Sequence, residues 1–105
     1  MPLFSVYAPD YTDPEAVQRR LAVRESHLAA AAQNKAIKVG GAMLSPNEAL
    51  DKPDAEKKMI GSFMVIECDT YADARKMIES DIYWTSNVWD KENTVIRPFV
   101  TAKPL

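Results

Sequence analysis

The residues best suited to acid–base chemistry lie on the first predicted helix. Arg20, Arg24 and His27 are spaced i, i+4 and i+7, which stacks their side chains along one side of a helix. His27 is the single histidine of the chain, and imidazole is the side chain that exchanges a proton near neutral pH. One interpretation is a general acid–base site. The other is a half-exposed histidine beside two solvated arginines.

A catalytic histidine needs a carboxylate to orient it, and Asp81 is the candidate. An aspartate that accepts a hydrogen bond from one ring nitrogen fixes the tautomer, so the other nitrogen can take or give a proton. Asp81 follows the second predicted helix, which we expect beside the first on one face of a sheet. Asp81 also precedes Ile82-Tyr83-Trp84, where an aspartate commonly caps a helical turn. The residue pattern leaves both roles open.

The remaining residues with chemical potential give weaker signals. Trp84 and Trp89 suit the wall of an apolar pocket, but large aromatic side chains also serve as core or interface anchors. Gly40-Gly41 is too short to cradle a phosphate, because no glycine-rich phosphate-binding pattern surrounds it. Cys68 is the single cysteine, so it forms no internal disulfide, and we expect a cytoplasmic protein. One histidine and one cysteine do not make a zinc site, so no metal is expected.

Composition narrows the class of protein. With 105 residues, 47% of them hydrophobic and 27% charged, the chain has the size and composition of one globular domain, residues 1–105. The net charge of −2 supplies no basic surface for nucleic acid. No apolar run approaches the roughly 18 residues of a membrane span. We therefore expect neither nucleic acid nor membrane as a partner.

Six elements must position these side chains. The residue patterns predict strand 3–8, helix 14–33, strand 37–44, strand 61–68, a second helix capped by Thr70, and strand 94–100. The order βαββαβ predicts an α+β fold, the ferredoxin-like sandwich with both helices on one face of an antiparallel sheet. Residues 45–60 form a charged loop, and Gly40-Gly41 indicates a bulge or a close backbone approach.

Apolar periodicity predicts which faces are buried. On the first helix, the inward stripe is Val17, Leu21, Leu28 and Ala32, which would put His27 at the boundary of core and cavity. On the second helix, the inward residues are Tyr71, Ala74 and Ile78.

The third strand is apolar on both sides, with Phe63 and Val65 on one side and Met64 and Ile66 on the other. Two helices cover only one face, so we expect a homodimer through the bare sheet face.

Five segments, in order along the chain, resemble the YCII-related (YciI-like) family. They are Arg-Leu-Ala-Val-Arg-Glu-Ser-His-Leu at 20–28, Lys-Val-Gly-Gly-Ala-Met at 38–43, Gly-Ser-Phe-Met-Val-Ile-Glu at 61–67, Tyr-Ala-Asp-Ala-Arg at 71–75 followed by Ser-Asp-Ile-Tyr at 80–83, and Ile-Arg-Pro-Phe at 96–99. The resemblance implies a ferredoxin-like domain that forms a dimeric α/β barrel. It also implies an active site whose histidine and aspartate correspond to His27 and Asp81. Two departures are Ile82, where the family commonly has proline, and the charged loop 46–60.

The resemblance further suggests a function. Related dimeric barrels include muconolactone isomerase-like and dehydrochlorinase-like enzymes, which move protons beside carbonyls on small ring compounds without a metal or organic cofactor. The chain is therefore expected to be a lyase, isomerase or dehydrochlorinase-like enzyme for a small aromatic or lactone-type molecule. His27 would be the acid/base, Asp81 would orient it, and Arg24 would bind an anionic or enolate oxygen. The candidate substrate-binding residues are Gly41, Ser45, Tyr83, Trp84 and Trp89. The alternative is a non-catalytic ligand-binding or structural dimer.

Overall fold

Four strands and three helices make up the computed structural model, which describes residues 1–105. The elements are β1 (Leu3–Pro9), α1 (Ala16–Gln33), β2 (Ile37–Ser45), β3 (Lys58–Glu67), α2 (Tyr71–Glu79), α3 (Ile82–Thr85) and β4 (Val95–Phe99). The predicted βαββαβ order is confirmed, and the aromatic segment after α2 adds the short helix α3. Thr70 caps α2 as predicted, because its hydroxyl accepts the Asp73 N–H.

The sheet has the strand order β2-β3-β1-β4, and every pair of neighbours is antiparallel. Side chains alternate between the two sheet faces. The inner face packs against the helices, and its members in the twelve-residue core are Phe4, Val6, Ala8, Met64, Ile66 and Ile96. The α+β, ferredoxin-like prediction is thereby confirmed. α2 contributes Ala74 and Ile78 to this core, and α3 contributes Tyr83.

The outer sheet face carries apolar side chains without a covering layer. Tyr7, Phe63, Val95 and Phe99 are each more than a third exposed. Val65 lies on the same face but is 4% exposed, since its neighbours enclose it. The division of β3 into two apolar sides is as predicted.

The prediction of the buried face of α1 is wrong. Val17, Leu21 and Leu28 are 40%, 51% and 47% exposed, whereas Ala16 and Arg20 are buried. The buried face continues through Val23, which packs against the core, to His27. Periodicity failed here because the inward face carries two polar side chains that form hydrogen bonds inside the protein, while the most apolar stripe faces solvent.

The structure also differs from the predictions at Tyr71 and at the start of α1. Tyr71 was expected inside but is 44% exposed, with its ring tilted against Phe4. α1 begins at Ala16, and its N-cap Glu15 makes no side-chain cap bond. The carboxylate of Asp13, just before the helix, accepts the Glu15 N–H and binds Arg19.

The bulges of β2 and the closest backbone approach do not lie at Gly40-Gly41, where they were predicted. The register shifts of β2 fall at Ile37/Val39 and Met43/Leu44, not at Gly40-Gly41. The close approach is at Gly61, where a Cβ would lie 2.8 Å from the Ala8 carbonyl oxygen. A side chain at this position would force β1 and β3 apart.

None of the helices is both long and apolar enough to cross a lipid bilayer.

Candidate functional site

A pocket of about 360 Å³ lies between α1 and the inner face of β2 and β3. Its floor consists of small residues: Gly40 and Ala42 on β2, and Ser62 on β3, which pairs with Ala42. Side chains this short leave space under the helix that larger residues would fill. Met64 and Tyr83 close the apolar side of the pocket. Its volume suits a small organic ligand.

His27 lines this pocket, and Asp81 contacts His27 from outside the lining. Asp81 Oδ1 lies 3.0 Å from His27 Nδ1 and also accepts the backbone N–H of Tyr83 at 2.8 Å. The second bond makes Asp81 the N-cap of α3. The two roles considered for Asp81 are therefore combined in one oxygen atom, because capping α3 holds the carboxylate where the imidazole reaches it. Ile82, in the place of the family's proline, does not prevent this geometry.

Aromatic rings fix the plane of the imidazole. The His27 and Tyr83 rings stack with centroids 3.7 Å apart and planes 8° from parallel. The Trp89 ring lies nearly perpendicular to both rings, with its centroid 6.0 Å from that of His27 and 5.7 Å from that of Tyr83. Contacts from two sides, together with the Asp81 bond, leave the imidazole little freedom to rotate.

The second ring nitrogen of His27 is available to a ligand. Nδ1 is held by Asp81, and Nε2 has no hydrogen-bond partner in the chain. No buried side-chain nitrogen or oxygen lacks a partner, so Nε2 must be accessible to solvent. Since His27 lines the pocket, a ligand there can exchange a proton with Nε2.

Arg20 occupies the buried end of the site, with its side chain 4% exposed. Its guanidinium donates to Asp10 Oδ2 at 2.8 Å and to the Gly61 carbonyl at 3.1 Å. It also donates to Ser62 Oγ at 3.0 Å and to the Tyr83 hydroxyl at 3.4 Å. Its carbon Cζ lies 4.7 Å from the centre of the Tyr83 ring. This set of partners balances the charge of a cation that has lost its water.

Trp89 reaches the site because its segment is tied to the end of β1. The Asp90 N–H donates to the Pro9 carbonyl, and Asp10 and Trp89 form an isolated β-bridge. The indole Nε1 then donates to Ser62 Oγ at 3.1 Å. Asn87, in the left-handed region at φ 58°, makes the turn that follows α3.

The structure separates the predicted site residues into two groups. Arg24, Gly41 and Tyr83 line the pocket with His27, and Arg24 stands exposed at its rim. Trp89 lies behind His27 and Tyr83 and is fully buried.

Two other candidates lie away from the pocket. Ser45 ends β2 beside the charged loop. Trp84 packs against the core, with Lys91 Nζ 5.7 Å from its ring centre. Neither residue contributes to the pocket lining.

Asp10 and Ser62 were not identified from the sequence, and Arg20 was given no role of its own. A signal for Arg20 existed in its spacing, since Ala16, Arg20, Val23 and His27 follow one helical stripe. Asp10 and Ser62 become recognisable only through their contacts with Arg20, which lies far from Ser62 in sequence.

Burial raises the pKa of the Tyr83 hydroxyl, against the opposing effect of the nearby Arg20 and Arg24 charges. Tyr83 therefore stays protonated, and a donor, across the physiological pH range. No group of three or more histidine, cysteine or acidic side chains is arranged to hold a metal ion.

Comparison with known proteins shows the family. The YCII-related domain family matches residues 5–99. The chain belongs to the YCII-related family. A comparison with curated proteins gives no match.

Among solved structures, the chain is similar to the 5-chloro-2-hydroxyhydroquinone dehydrochlorinase of Burkholderia phenoliruptrix AC1100 in complex with 2,5-dihydroxybenzoquinone. The TM-score is 0.75 and the sequence identity 26%, and the match covers 93% of each chain. This likeness agrees with the ferredoxin-like fold. That neighbour is named for its action on a chlorinated hydroxyhydroquinone, and its structure contains a bound dihydroxybenzoquinone.

Proposed function

We propose that this YCII-related protein is an enzyme that moves protons on a small hydroxylated or carbonyl-bearing ring compound, as a lyase or isomerase. The observation that carries the proposal is the His27–Asp81 hydrogen bond, which leaves Nε2 of this pocket-lining residue without a partner in the chain. The similar dehydrochlorinase supports the class of substrate, because the substrate for which it is named is a chlorinated hydroxyhydroquinone. A dehydrochlorination is thus the first reaction to test.

In such a reaction His27 would act as the general base. Nε2 accepts the proton of a ring hydroxyl, and the released electron pair moves through the ring to the carbon that bears the chlorine, which takes a proton from the His27 imidazolium. A second ring hydroxyl then gives its proton to Nε2, and its electron pair moves through the ring and expels chloride, so that HCl is lost and a quinone remains. Asp81 stabilises the imidazolium that forms, and the proton passes from His27 to solvent.

Arg24 is proposed to attract the substrate rather than to react with it. It stands exposed at the rim of the pocket, where a guanidinium attracts anionic ring compounds. The apolar side chains of Met64 and Leu28 complete a lining that favours a ring over a sugar or a nucleotide. The cytoplasmic location expected from the sequence stays a prediction.

The decisive experiment measures chloride release from 5-chloro-2-hydroxyhydroquinone, with lactones as a second substrate panel. We expect His27→Ala to lower kcat by about 10² to 10⁴, the range that general acid–base catalysis contributes. Asp81→Asn should cause a smaller loss, because the amide oxygen still caps α3 but no longer carries the charge that stabilises the imidazolium.

Leu21→Ala is the matched control, since Leu21 lies on the same helix, is 51% exposed and does not line the pocket. It should keep the parent rate. Full activity in folded His27→Ala would overturn the proposal. A parent protein that binds the ring compounds but turns none of them over would favour a ligand-binding domain.

We also propose that two chains associate through the outer sheet face. The exposed apolar side chains of Tyr7, Phe63, Val95 and Phe99 support this interface. Sedimentation should give the parent the mass of two chains, and Phe63→Lys the mass of one. The equivalent change at exposed Leu21 should leave the mass unaltered. A monomeric parent would contradict the interface.

A further inference from the structure

Ser62 Oγ accepts two hydrogen bonds and has no acceptor for its own proton. Arg20 Nη2 donates to it at 3.0 Å, and Trp89 Nε1 donates at 3.1 Å. Guanidinium and indole N–H groups only donate. Neither partner can therefore take the hydroxyl proton, and no other acceptor in the chain does so. Ser62 is 5% exposed and lines the pocket.

The Tyr83 hydroxyl repeats this arrangement. It accepts from Arg20 Nη1 at 3.4 Å and donates to no group in the chain. Burial keeps it protonated by raising its pKa. Tyr83 lines the same pocket, and its ring is already fixed by the stack with His27. Two hydroxyl protons around one guanidinium thus lack acceptors.

Arg20 itself is not the ligand-binding group. Its Nε and Nη2 atoms bind the Asp10 carboxylate at 2.8 and 3.4 Å, and Nη2 also binds the Gly61 carbonyl. Its remaining contacts in this network are the two hydroxyl groups and Met59 Sδ at 3.8 Å. Arg20 itself lines the pocket, but its positive charge is offset by Asp10 and polarises the Ser62 and Tyr83 hydroxyls.

We propose that the Ser62 and Tyr83 hydroxyls form a donor pair that binds a negatively charged ring oxygen of the ligand. This inference rests on the proposed function, since it assigns the pocket of His27 a ligand group. Donors held in place before the ligand arrives stabilise the charge that develops on an oxygen without having to reorganise. His27 would remove the proton, and the donor pair would bind the oxygen that carries the resulting charge.

The pair also sets the class of ligand. Because Asp10 neutralises Arg20, the buried end of the pocket offers strong hydrogen bonds but no net positive charge. Such a site favours a phenolate, enolate or quinone oxygen, whose charge is spread over a ring. A compact carboxylate would need a full cation, which only Arg24 at the rim provides.

Two probes test the pair without requiring turnover. 4-Nitrophenol changes its absorbance when it ionises, and 4-nitroanisole has nearly the same ring but no ionisable oxygen. The parent should bind the nitrophenolate more tightly than the nitroanisole, and bound nitrophenol should ionise at a lower pH than free nitrophenol. Ser62→Ala should weaken phenolate binding by about tenfold or more, because hydrogen bonds to charged groups contribute more than neutral ones. Nitroanisole binding should stay at the parent value.

Tyr83→Phe is the second variant, because it keeps the ring stacked on His27 while removing one hydroxyl. It should also weaken phenolate binding selectively, and Ser62→Thr should restore most of the affinity that Ser62→Ala loses. Near-ultraviolet circular dichroism of the aromatic side chains verifies that each variant is folded. Folded Ser62→Ala and Tyr83→Phe variants that both bind the phenolate as the parent does would overturn the inference. So would a parent with no preference for phenolate.

The two proposals fail in different ways. Absent turnover with an intact phenolate preference would contradict the enzymatic function and leave the donor pair standing. Turnover that depends on His27, without any phenolate preference, would contradict only the donor pair.

Discussion

Two neighbouring arginines on α1 show how burial changes the part played by the same side chain. Arg19 binds Asp13 at 2.6 Å, and Arg20 binds Asp10 at 2.8 Å. Both aspartates precede the helix. The exposed fractions are 31% and 41% for the first pair, but only 4% and 9% for the second. The two arginines are adjacent in the chain but lie on different faces of α1.

The two pairs differ in how much of the water around their charged groups protein partners must replace. Arg19 keeps much of its water, and its third bond, to the Asn87 carbonyl at 2.9 Å, joins the helix to the turn after α3. Arg20 has lost its water, so Asp10, Gly61, Ser62 and Tyr83 must satisfy its donors. Desolvation of both charges offsets much of their attraction, so a buried pair contributes little net stability. Its value here is to arrange the hydroxyls of the pocket.

The largest contrast should appear when each arginine is replaced by methionine. Arg20→Met leaves the Asp10 carboxylate buried without its cation, and breaking a buried pair in this way costs roughly 3–5 kcal/mol of the free energy of unfolding. Arg19→Met should shift the unfolding midpoint only slightly, because the Asp13 carboxylate is left in water. Urea denaturation of the two variants beside the parent measures both effects.

A double variant sharpens this comparison. Adding Asp10→Asn to Arg20→Met removes the unpaired charge and should recover part of the lost stability. Equal losses in the two single variants would show that the Arg20 pair is no more desolvated than the Arg19 pair. In that case a buried Arg20–Asp10 pair could not be what positions the hydroxyl groups of the pocket.

The same helix explains what the sequence could and could not predict. The order of elements and the Thr70 cap follow from local rules, and they are correct. The buried face of α1 does not follow from local rules, because periodicity assumes that the more apolar side is buried. Here the inward side holds Arg20 and His27, which are stabilised by partners from distant segments. Leu21 and Leu28 remain partly exposed.

The site likewise contains residues that could be predicted from the sequence and residues that could not. His27 and Asp81 were proposed from residue chemistry together with the family resemblance, and the fold does bring them into contact. Ser62 was not identified as a site residue, because a serine between Gly61 and Phe63 in an apolar strand has no feature in the sequence that distinguishes it from other strand residues. Only the antiparallel pairing of β1 with β3, and the bridge from Asp10 to Trp89, place its hydroxyl between two donors.

The smallest effect expected is the pH dependence of the exposed pair. The hydrogen bonds from Arg19 lower the pKa of Asp13 from 3.8 to about 2. A carboxyl whose pKa is lower in the folded state stabilises the fold fully above its unfolded pKa, and this stabilisation is lost as the pH falls through the folded value. The contribution of Asp13 should therefore be constant above pH ~4 and decline between pH ~4 and ~2, the interval between the unfolded and folded pKa values.

Thermal denaturation of the parent and Asp13→Asn from pH 6 to pH 2 tests this expectation. The parent should have a slightly higher Tm above about pH 4, and the difference should vanish near the folded pKa of about 2. Asp10→Asn should differ from the parent by far more over the same range, because it disturbs a buried pair. A Tm difference for Asp13→Asn that grows as the pH falls would have the wrong sign. It would mean that the Asp13 carboxyl is not held ionised by Arg19, and that the exposed pair does not exist in solution.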